Sequence, residues 1–404
     1  MMGCPAAADQ PTSLPKPLPL SGFDSPPLSG FDSPAPPVPP PVADLVTLAA
    51  EVGLVLRGTL PAEPLDCEVG SRLTSWLAEG RAGEMLYLER GAPYFADLRA
   101  WKSWARGALL FALPYHRPGG GFRGGGRVAR YALGRDYHNV LGRRLQKLGR
   151  RLVAAGVAAR FRAVVDAAPV LEREWAIRGC VGFRGKNTLL LHPEHGPWVL
   201  LGELLVDREV PAWSPPPARR ASCGSCTRCL DACPTGAFDA AYRLDPRRCL
   251  SYLTIESKGW MPRELRRAAG EWVFGCDVCL EVCPFGAKDV DHADAWGLHP
   301  ALNQLTLDQL LTLSEPVFHK LFTGSPLRRA GREGLVRNAC IALGNLGQGE
   351  QALRTAVEGD ASAIVRGHAV WALGVQDAAR GVRARLALHD PDPQVRLEAE
   401  NTLK

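Results

Sequence analysis

Cys223-Gly-Ser-Cys226-Thr-Arg-Cys229-Leu-Asp-Ala-Cys233-Pro234 opens a segment that closes with Cys276-Asp-Val-Cys279-Leu-Glu-Val-Cys283-Pro284, and Cys249 lies between the two runs. Two-residue spacers bring three thiolates out of one tight loop, and the Cys-Pro step turns the chain away. In two-cluster bacterial ferredoxins the fourth cysteine of such a run ligates the other cluster. The spacing therefore predicts two [4Fe-4S] clusters. Cys223, Cys226, Cys229 and Cys283 would hold one, and Cys233, Cys249, Cys276 and Cys279 the other. Structural zinc takes four ligands and has no use for a third cysteine at this spacing followed by Cys-Pro. A disulfide framework belongs to short secreted chains. An electron wire is the reading that uses every cysteine of the segment. Of the others, Cys4 falls in the N-terminal tail, and Cys67, Cys180 and Cys340 read as packed apolar residues.

Downstream, Val336-Arg337, Val365-Arg366 and Val395-Arg396 recur at intervals of about thirty residues, the first two followed by Ala-Leu-Gly. A period of this kind predicts stacked, HEAT-like helical repeats over 301–404. Arginine at one position of each repeat predicts a cationic row that meets phosphates. Upstream, 42–213 reads as mixed α/β. Ala108–Leu113 and Trp198–Val206 are expected strands, Arg143–Ala155 an expected helix, and Val42–Leu60 an amphipathic helix. The glycine-rich stretch 119–126 reads as a surface loop. Residues 1–41 are proline-rich and contain Leu-Ser-Gly-Phe-Asp-Ser-Pro twice, a composition that does not bury a core. The cluster segment, 214–300, begins at a Ser-Pro-Pro-Pro break. The expected class is α+β and multidomain.

The chain has 404 residues, and arginine supplies 40 of its 48 basic side chains, for a net charge of +6. Guanidinium groups suit phosphates. High genomic GC content inflates arginine equally, so composition leaves a nucleic-acid partner open. No apolar run is long enough to span a bilayer, and eight cluster ligands call for a reducing, cytoplasmic interior.

Two stretches before the cysteines carry candidate chemistry. In Val164-Val-Asp-Ala-Ala-Pro-Val-Leu-Glu-Arg173, burial among apolar neighbours would raise the Asp166 pKa and make it a proton donor. Asp166 also reads as a helix-entry residue, with Pro169 in the first turn. Gly179-Cys-Val-Gly-Phe-Arg-Gly-Lys-Asn187 is no nucleotide P-loop, because Asn187 stands where Ser or Thr is required. Its glycines allow close approach to a large flat ligand. His138, alone, reads as structural.

Arg130-Tyr-Ala-Leu-Gly-Arg-Asp-Tyr-His138, Asp166-Ala-Ala-Pro-Val-Leu-Glu-Arg173, Gly185-Lys-Asn187, Leu201-Gly-Glu-Leu204 and Arg248-Cys-Leu-Ser-Tyr-Leu-Thr-Ile-Glu256 occur in that order. Together they resemble the epoxyqueuosine reductases, cobalamin-dependent enzymes of queuosine synthesis on tRNA. The resemblance runs from about residue 42 to the end. It implies a cobalamin-binding catalytic domain over 42–213, beside a ferredoxin-like domain with two [4Fe-4S] clusters. It makes Asp166 the proton donor, and it places Arg90, Arg130, Gly182, Gly185, Lys186, Asn187, Ser251 and Thr254 around the corrin. The family usually has Gly-Leu-Gly-Trp before Gly-Lys-Asn. This chain has Cys180-Val-Gly-Phe-Arg184, which implies altered packing near the corrin.

The function implied is reduction of epoxyqueuosine to queuosine in a tRNA anticodon loop. Electrons would come from an external donor, pass through the clusters and reach cobalt in a monomeric enzyme with no membrane attachment. Two rivals are a cobalamin-dependent reductase of a small molecule, similar to a reductive dehalogenase, and an electron-transfer subunit with a helical docking tail.

Overall fold

The computed structural model describes residues 40–215, 221–286, 292, 296–376 and 384–404. The proline-rich head and part of the break before the cysteines lie outside them.

A four-stranded antiparallel sheet organises the N-terminal half, in the order Leu56–Pro61, Gly107–Pro114, Val199–Val206, Phe161–Val164. The strand Gly107–Pro114 is apolar on both faces because both are covered. Leu109 and Phe111 pack with Val42, Leu45, Leu141, Leu145 and Leu148 of the helices Pro40–Ala50 and Tyr137–Ala154. Ala108, Leu110 and Ala112 point the other way, to Leu98, Trp175 and Ala176. This is the two-residue alternation of a pleated strand. The expected helix over Val42–Leu60 is corrected: it ends at Ala50, Gly53 takes φ +71, and Leu56–Pro61 becomes an edge strand.

The glycine-rich stretch is not a free surface loop. Gly120–Gly121 and Arg127–Val128 form a hairpin that pairs in parallel with Trp272–Phe274, next to the second cysteine run. A Cβ at Gly126 would strike Leu307, 2.7 Å away, and φ there is +88. The glycines let the hairpin lie between the cluster segment and the C-terminal helices.

Those helices include Gly331–Leu346, Glu350–Gly359, Ala363–Gln376 and Pro393–Leu403. The Ala-Leu-Gly repeat has a packing cause. A Cβ on Gly344 would lie 2.8 Å from the Ala372 backbone, and one on Gly374 would overlap Thr402. Each glycine lets the next helix approach closely. One hydrophobic core runs from Leu250, Leu253 and Phe274 through Leu335 and Val365 to Ala399, across the boundary expected at 300.

The arginine row expected to meet phosphates is corrected. Arg337 is fully buried. Its guanidinium donates to the carbonyls of Leu253, Ser257 and Gly259 at 2.5, 3.0 and 2.6 Å, and to Asn338 Oδ1. Arg366 pairs with Asp390 at 2.7 Å and donates to the Asp360 carbonyl, and Arg396 donates to the Asp390 carbonyl at 2.6 Å. Arg337 is thereby withdrawn from the surface, and Arg366 and Arg396 donate to the turns that precede their own helices. Among the described residues no helix is long and apolar enough to cross a membrane.

Candidate active site

Strand Phe161–Val164 ends in a turn where Asp166 takes φ +55, a conformation that asparagine and aspartate tolerate better than most residues. Its N–H donates to Glu172 Oε1 at 2.5 Å. The helix that follows begins at Glu172, so Pro169 is not in its first turn as expected. The turn instead aims the carboxylate at three partners. Tyr137 Oη donates to Asp166 Oδ2 at 2.5 Å, while His138 Nε2 and Arg329 Nη1 each lie 3.4 Å from it. His138 Nδ1 in turn meets Asp136 at 2.8 Å, and the Arg329 guanidinium lies against the His138 ring.

These contacts overturn the expected rise in the Asp166 pKa. Burial does push it up, but hydrogen bonds from His138 and Tyr137 and the Arg329 charge outweigh burial and hold it well below the ordinary 3.8. The carboxylate is enclosed on most sides yet keeps half its side-chain surface open to a cavity. Burial lowers the affinity of His138 for its proton, but Asp136 and Asp166 more than restore it, so its pKa lies above 6.5. Burial, reinforced by the Asp166 charge, raises Tyr137 far above 10. The phenol keeps its proton, and the imidazole binds one more tightly than a free histidine does. Asp166 is the carboxylate between them.

Behind the turn lies a second pair. Glu203, on strand Val199–Val206, is buried, and its Oε2 has no hydrogen-bond partner among the described residues. It faces Glu172, and both are pushed above the ordinary 4.5, first by burial and then by neighbouring carboxylates. Like charge and burial both favour a protonated carboxyl in this pair.

The cavity in front of Asp166 has a volume of about 1020 Å³. Tyr87, Tyr131, Tyr137, Tyr242, Ser251 and Ile255 contribute to its lining, and so does Cys249. Its walls mix aromatic, aliphatic and hydrogen-bonding groups, which suits a large amphipathic macrocycle. The wall opposite in chemistry to Asp166 is a cluster cysteine.

The predicted corrin contacts divide sharply. Asp166 and Ser251 line the cavity. Arg90 is exposed on the helix Leu86–Phe95 and does not line it. Thr254 is fully buried, its hydroxyl donating to the Leu250 carbonyl at 2.6 Å and accepting from Gly275 N–H at 2.9 Å, so it has nothing to offer a ligand. Arg130 stacks on Trp198 and pairs with Glu281. Gly182 and Gly185 belong to a tight hairpin, Phe183–Arg184 with Leu190–Leu191, where a Cβ on Gly182 would meet the Leu191 carbonyl at 2.5 Å.

The hairpin turn serves the cysteines. Lys186 N–H donates to Cys223 Sγ at 3.4 Å, Lys186 Nζ to the Gly224 carbonyl at 2.8 Å, and Asn187 Nδ2 to the Cys279 carbonyl at 3.5 Å. Its glycines let the two short strands close on each other, and the turn between them meets the cysteine segment. Cys180 and Cys67 are exposed, not packed, and Cys340 is buried as expected.

The cysteines gather in two neighbourhoods. Burial first, and then Cys223, Cys283 and Cys226, raise the Cys229 thiol. Burial, with Cys249 and Cys233 nearby, pushes Cys276 up to about 12. Ala237 N–H donates to Cys233 Sγ at 3.3 Å, as backbone amides do around cluster sulfurs. Sequence reasoning missed Tyr137, Glu172, Glu203 and Arg329. The first three lie inside stretches singled out for other residues. Nothing local marks Arg329, which comes from the C-terminal third.

Residues 222–286 match the family described as "4Fe-4S double cluster binding domain". A double-cluster domain joined to a large cavity with an acid–base constellation defines an iron–sulfur oxidoreductase. Residues 96–167 match the family described as "Epoxyqueuosine reductase QueG, DUF1730". Over 319 residues the chain is 39% identical to an epoxyqueuosine reductase of Gloeobacter violaceus, covering 76% of this chain and 97% of the relative. It is likewise 39% identical to that of Xanthomonas campestris over 343 residues, 82% and 95% of the two chains. A crystal structure of an epoxyqueuosine reductase with an epoxyqueuosine-modified tRNA-Tyr stem loop superposes with a TM-score of 0.78 at 28% identity, covering 90% of this chain and 97% of that one. One from Bacillus subtilis, with its catalytic aspartate loop swung out of the active site, gives 0.75 at 27% identity, covering 90% and 98%. The chain belongs to the epoxyqueuosine reductase family.

Proposed function

We propose that this chain reduces epoxyqueuosine to queuosine in the anticodon loop of tRNA, with Asp166 as the group that delivers the proton. The observation that carries this is one cavity lined both by Asp166 and by Cys249. Proton source and electron source face the same space.

The two sets of four cysteines hold [4Fe-4S] clusters, filled by an external reductant, and these supply electrons singly. A cobalamin held in the cavity by its tyrosines, Ser251 and the Asp166 turn supplies the cobalt chemistry that carries those electrons to carbon. Removing an epoxide oxygen as water consumes two electrons and two protons. The chain's own residues manage the protons.

At rest Asp166 is ionised and His138 holds the proton beside it. Filling the cavity strips water from the half-exposed carboxylate, and desolvation raises its pKa. Asp166 then takes the proton from His138, with Tyr137 holding the carboxylate in place, and passes it to the departing oxygen. An alkoxide left in a dry site without that proton is costly. The loop named as catalytic in the Bacillus subtilis relative, which carries an aspartate, supports the assignment.

The target base must leave its stack to reach the cavity, as in other base-modifying enzymes. We read the helices from 301 onward as a HEAT-like stack that braces the cluster segment, and the enzyme as one that acts as a monomer in the cytoplasm. The test is anaerobic turnover of reconstituted protein with cobalamin, a strong reductant and tRNA carrying epoxyqueuosine, read by nucleoside mass spectrometry. Cobalamin-dependent loss of one oxygen supports the reading. No loss with clusters and corrin in place refutes it and favours a small-molecule substrate.

A further inference from the structure

The cations of helix Tyr137–Ala154 fall into two groups. Arg144 donates to the Gly53 carbonyl at 3.2 Å, and Arg151 pairs with Glu51 at 2.6 Å. Arg143, Lys147 and Arg150 are exposed, and no ion pair engages them among the described residues. Their spacing, i, i+4 and i+7, puts all three on one helix face. That face forms one wall of a groove of about 610 Å³, and the edge strand Phe161–Val164 forms the other, with the Arg162 guanidinium turned to Trp101 on the far face of the sheet. No carboxylate lines it.

The groove ends at His138 and Ala168, and Ala168 also lines the cavity that holds Asp166. A polyanion lying along these cations is thus led to the acid–base constellation. With Arg337 buried and Arg366 and Arg396 bonded to the turns before their own helices, the attraction for phosphate has to come from elsewhere, and this is a carboxylate-free cationic groove that adjoins the site. An acidic electron-donor protein would also be attracted to cations, but it must reach the clusters, and none of the eight cluster cysteines lines this groove.

We propose that the groove walled by Arg143, Lys147 and Arg150 seats the phosphate backbone of the RNA strand whose modified base enters the Asp166 cavity. The proposal rests on the reading of the substrate given above. It makes these residues positioning groups for RNA, with no part in the chemistry.

The test uses cobalamin-loaded, cluster-reconstituted full-length protein and an anticodon stem–loop RNA carrying epoxyqueuosine. The variant is Arg143→Gln/Lys147→Gln/Arg150→Gln, checked for unchanged iron content and thermal midpoint. All three are surface residues, and such changes usually leave stability within about 0.5 kcal/mol. The expected result is a KM for RNA raised by about tenfold or more, with kcat at saturating RNA unchanged. The plot of log affinity against log salt should become shallower by about two, because each lost phosphate contact to single-stranded RNA removes about 0.7 from the slope. If the triple variant is unstable, Lys147→Gln/Arg150→Gln should lower the slope by about 1.4 on the same basis.

An unchanged KM and slope, with wild-type turnover intact, overturns the groove and leaves the reaction standing. Failure of the wild-type chain to reduce the RNA at all overturns the reaction itself. Loss of turnover with a protein reductant but not with a chemical one, at unchanged KM for RNA, makes the groove a docking site for the electron donor and overturns the proposal.

Discussion

The Tyr137 hydroxyl donates to the Asp166 carboxylate across 2.5 Å, and with His138 it holds that carboxylate in its ionised form. Burial keeps Tyr137 protonated, while the bonds from His138 and Tyr137 keep Asp166 ionised. On the proposed function, Asp166 begins the cycle without its proton, and the groups around it hold the supply. The arrangement works only if the carboxylate's environment changes when the cavity fills. Half-exposure at rest makes that change available.

Asp166→Asn should lower the single-turnover rate by at least about 100-fold, the ordinary scale of a positioned acid. Tyr137→Phe keeps the ring and removes the donor, and should lower the rate by about tenfold on the same scale. Anaerobic single-turnover mass spectrometry, with iron and corrin content measured in parallel, reads both. A wild-type rate in Asp166→Asn would take the aspartate out of the chemistry.

The His138 pKa is raised above 6.5 by its carboxylate neighbours. Stabilisation from its charge is complete below 6.5 and is lost as pH rises through the higher folded value. The turnover rate should fall over the same range, because the proton held for Asp166 is lost. In His138→Gln this alkaline limb should disappear and the plateau rate should drop. A pH–rate profile with the same limb in the variant would assign it to another group.

The Glu172–Glu203 pair gives a pH slope of the same sign, but here it is the charged form that burial penalises. Both bind protons more tightly folded than unfolded, so stability declines as pH rises above the ordinary 4.5 until the folded values are passed. Glu203→Gln keeps the shape and removes the charge, and should raise the thermal midpoint at pH 8 to 9 with little change near pH 4. Melting curves across this range decide it. Equal curves at alkaline pH would mean that Glu203 bears no such charge.

Much of this was readable from sequence where one physical signal dominated. The cysteine spacing marked the cluster segment, and a run apolar on both faces marked the central strand Gly107–Pro114. The Ala-Leu-Gly period marked stacked helices because glycine sits at each close approach. Long-range partners were not readable. The Asp166 pKa is inverted by His138 and Tyr137, about thirty residues away, and by Arg329, more than 160 residues away, which no local pattern announces. The glycines of 182–187 signalled close approach without naming what approaches, and the answer is the hairpin's own strand Leu190–Leu191, whose turn presents Lys186 N–H to Cys223. The repeat arginines had a regular spacing that fits a surface row or a set of bonds within the fold equally well. Only the fold separates the two.

Arg337 gives the sharpest test of that separation. Its guanidinium satisfies three carbonyls at and beyond the end of helix Leu250–Ile255, which begins one residue after Cys249. Removing it leaves those carbonyls buried and unpaired, and each such group costs about 1–3 kcal/mol. Arg337→Met should therefore destabilise the protein by about 3 kcal/mol or more on that scale, and lower the occupancy of the cluster that includes Cys249. Its salt dependence of RNA binding should stay unchanged, since no exposed charge is lost. Chemical denaturation, iron analysis and an RNA titration series on the same preparation measure all three. A normal denaturation midpoint with a shallower salt slope would return Arg337 to the RNA surface and contradict the buried geometry.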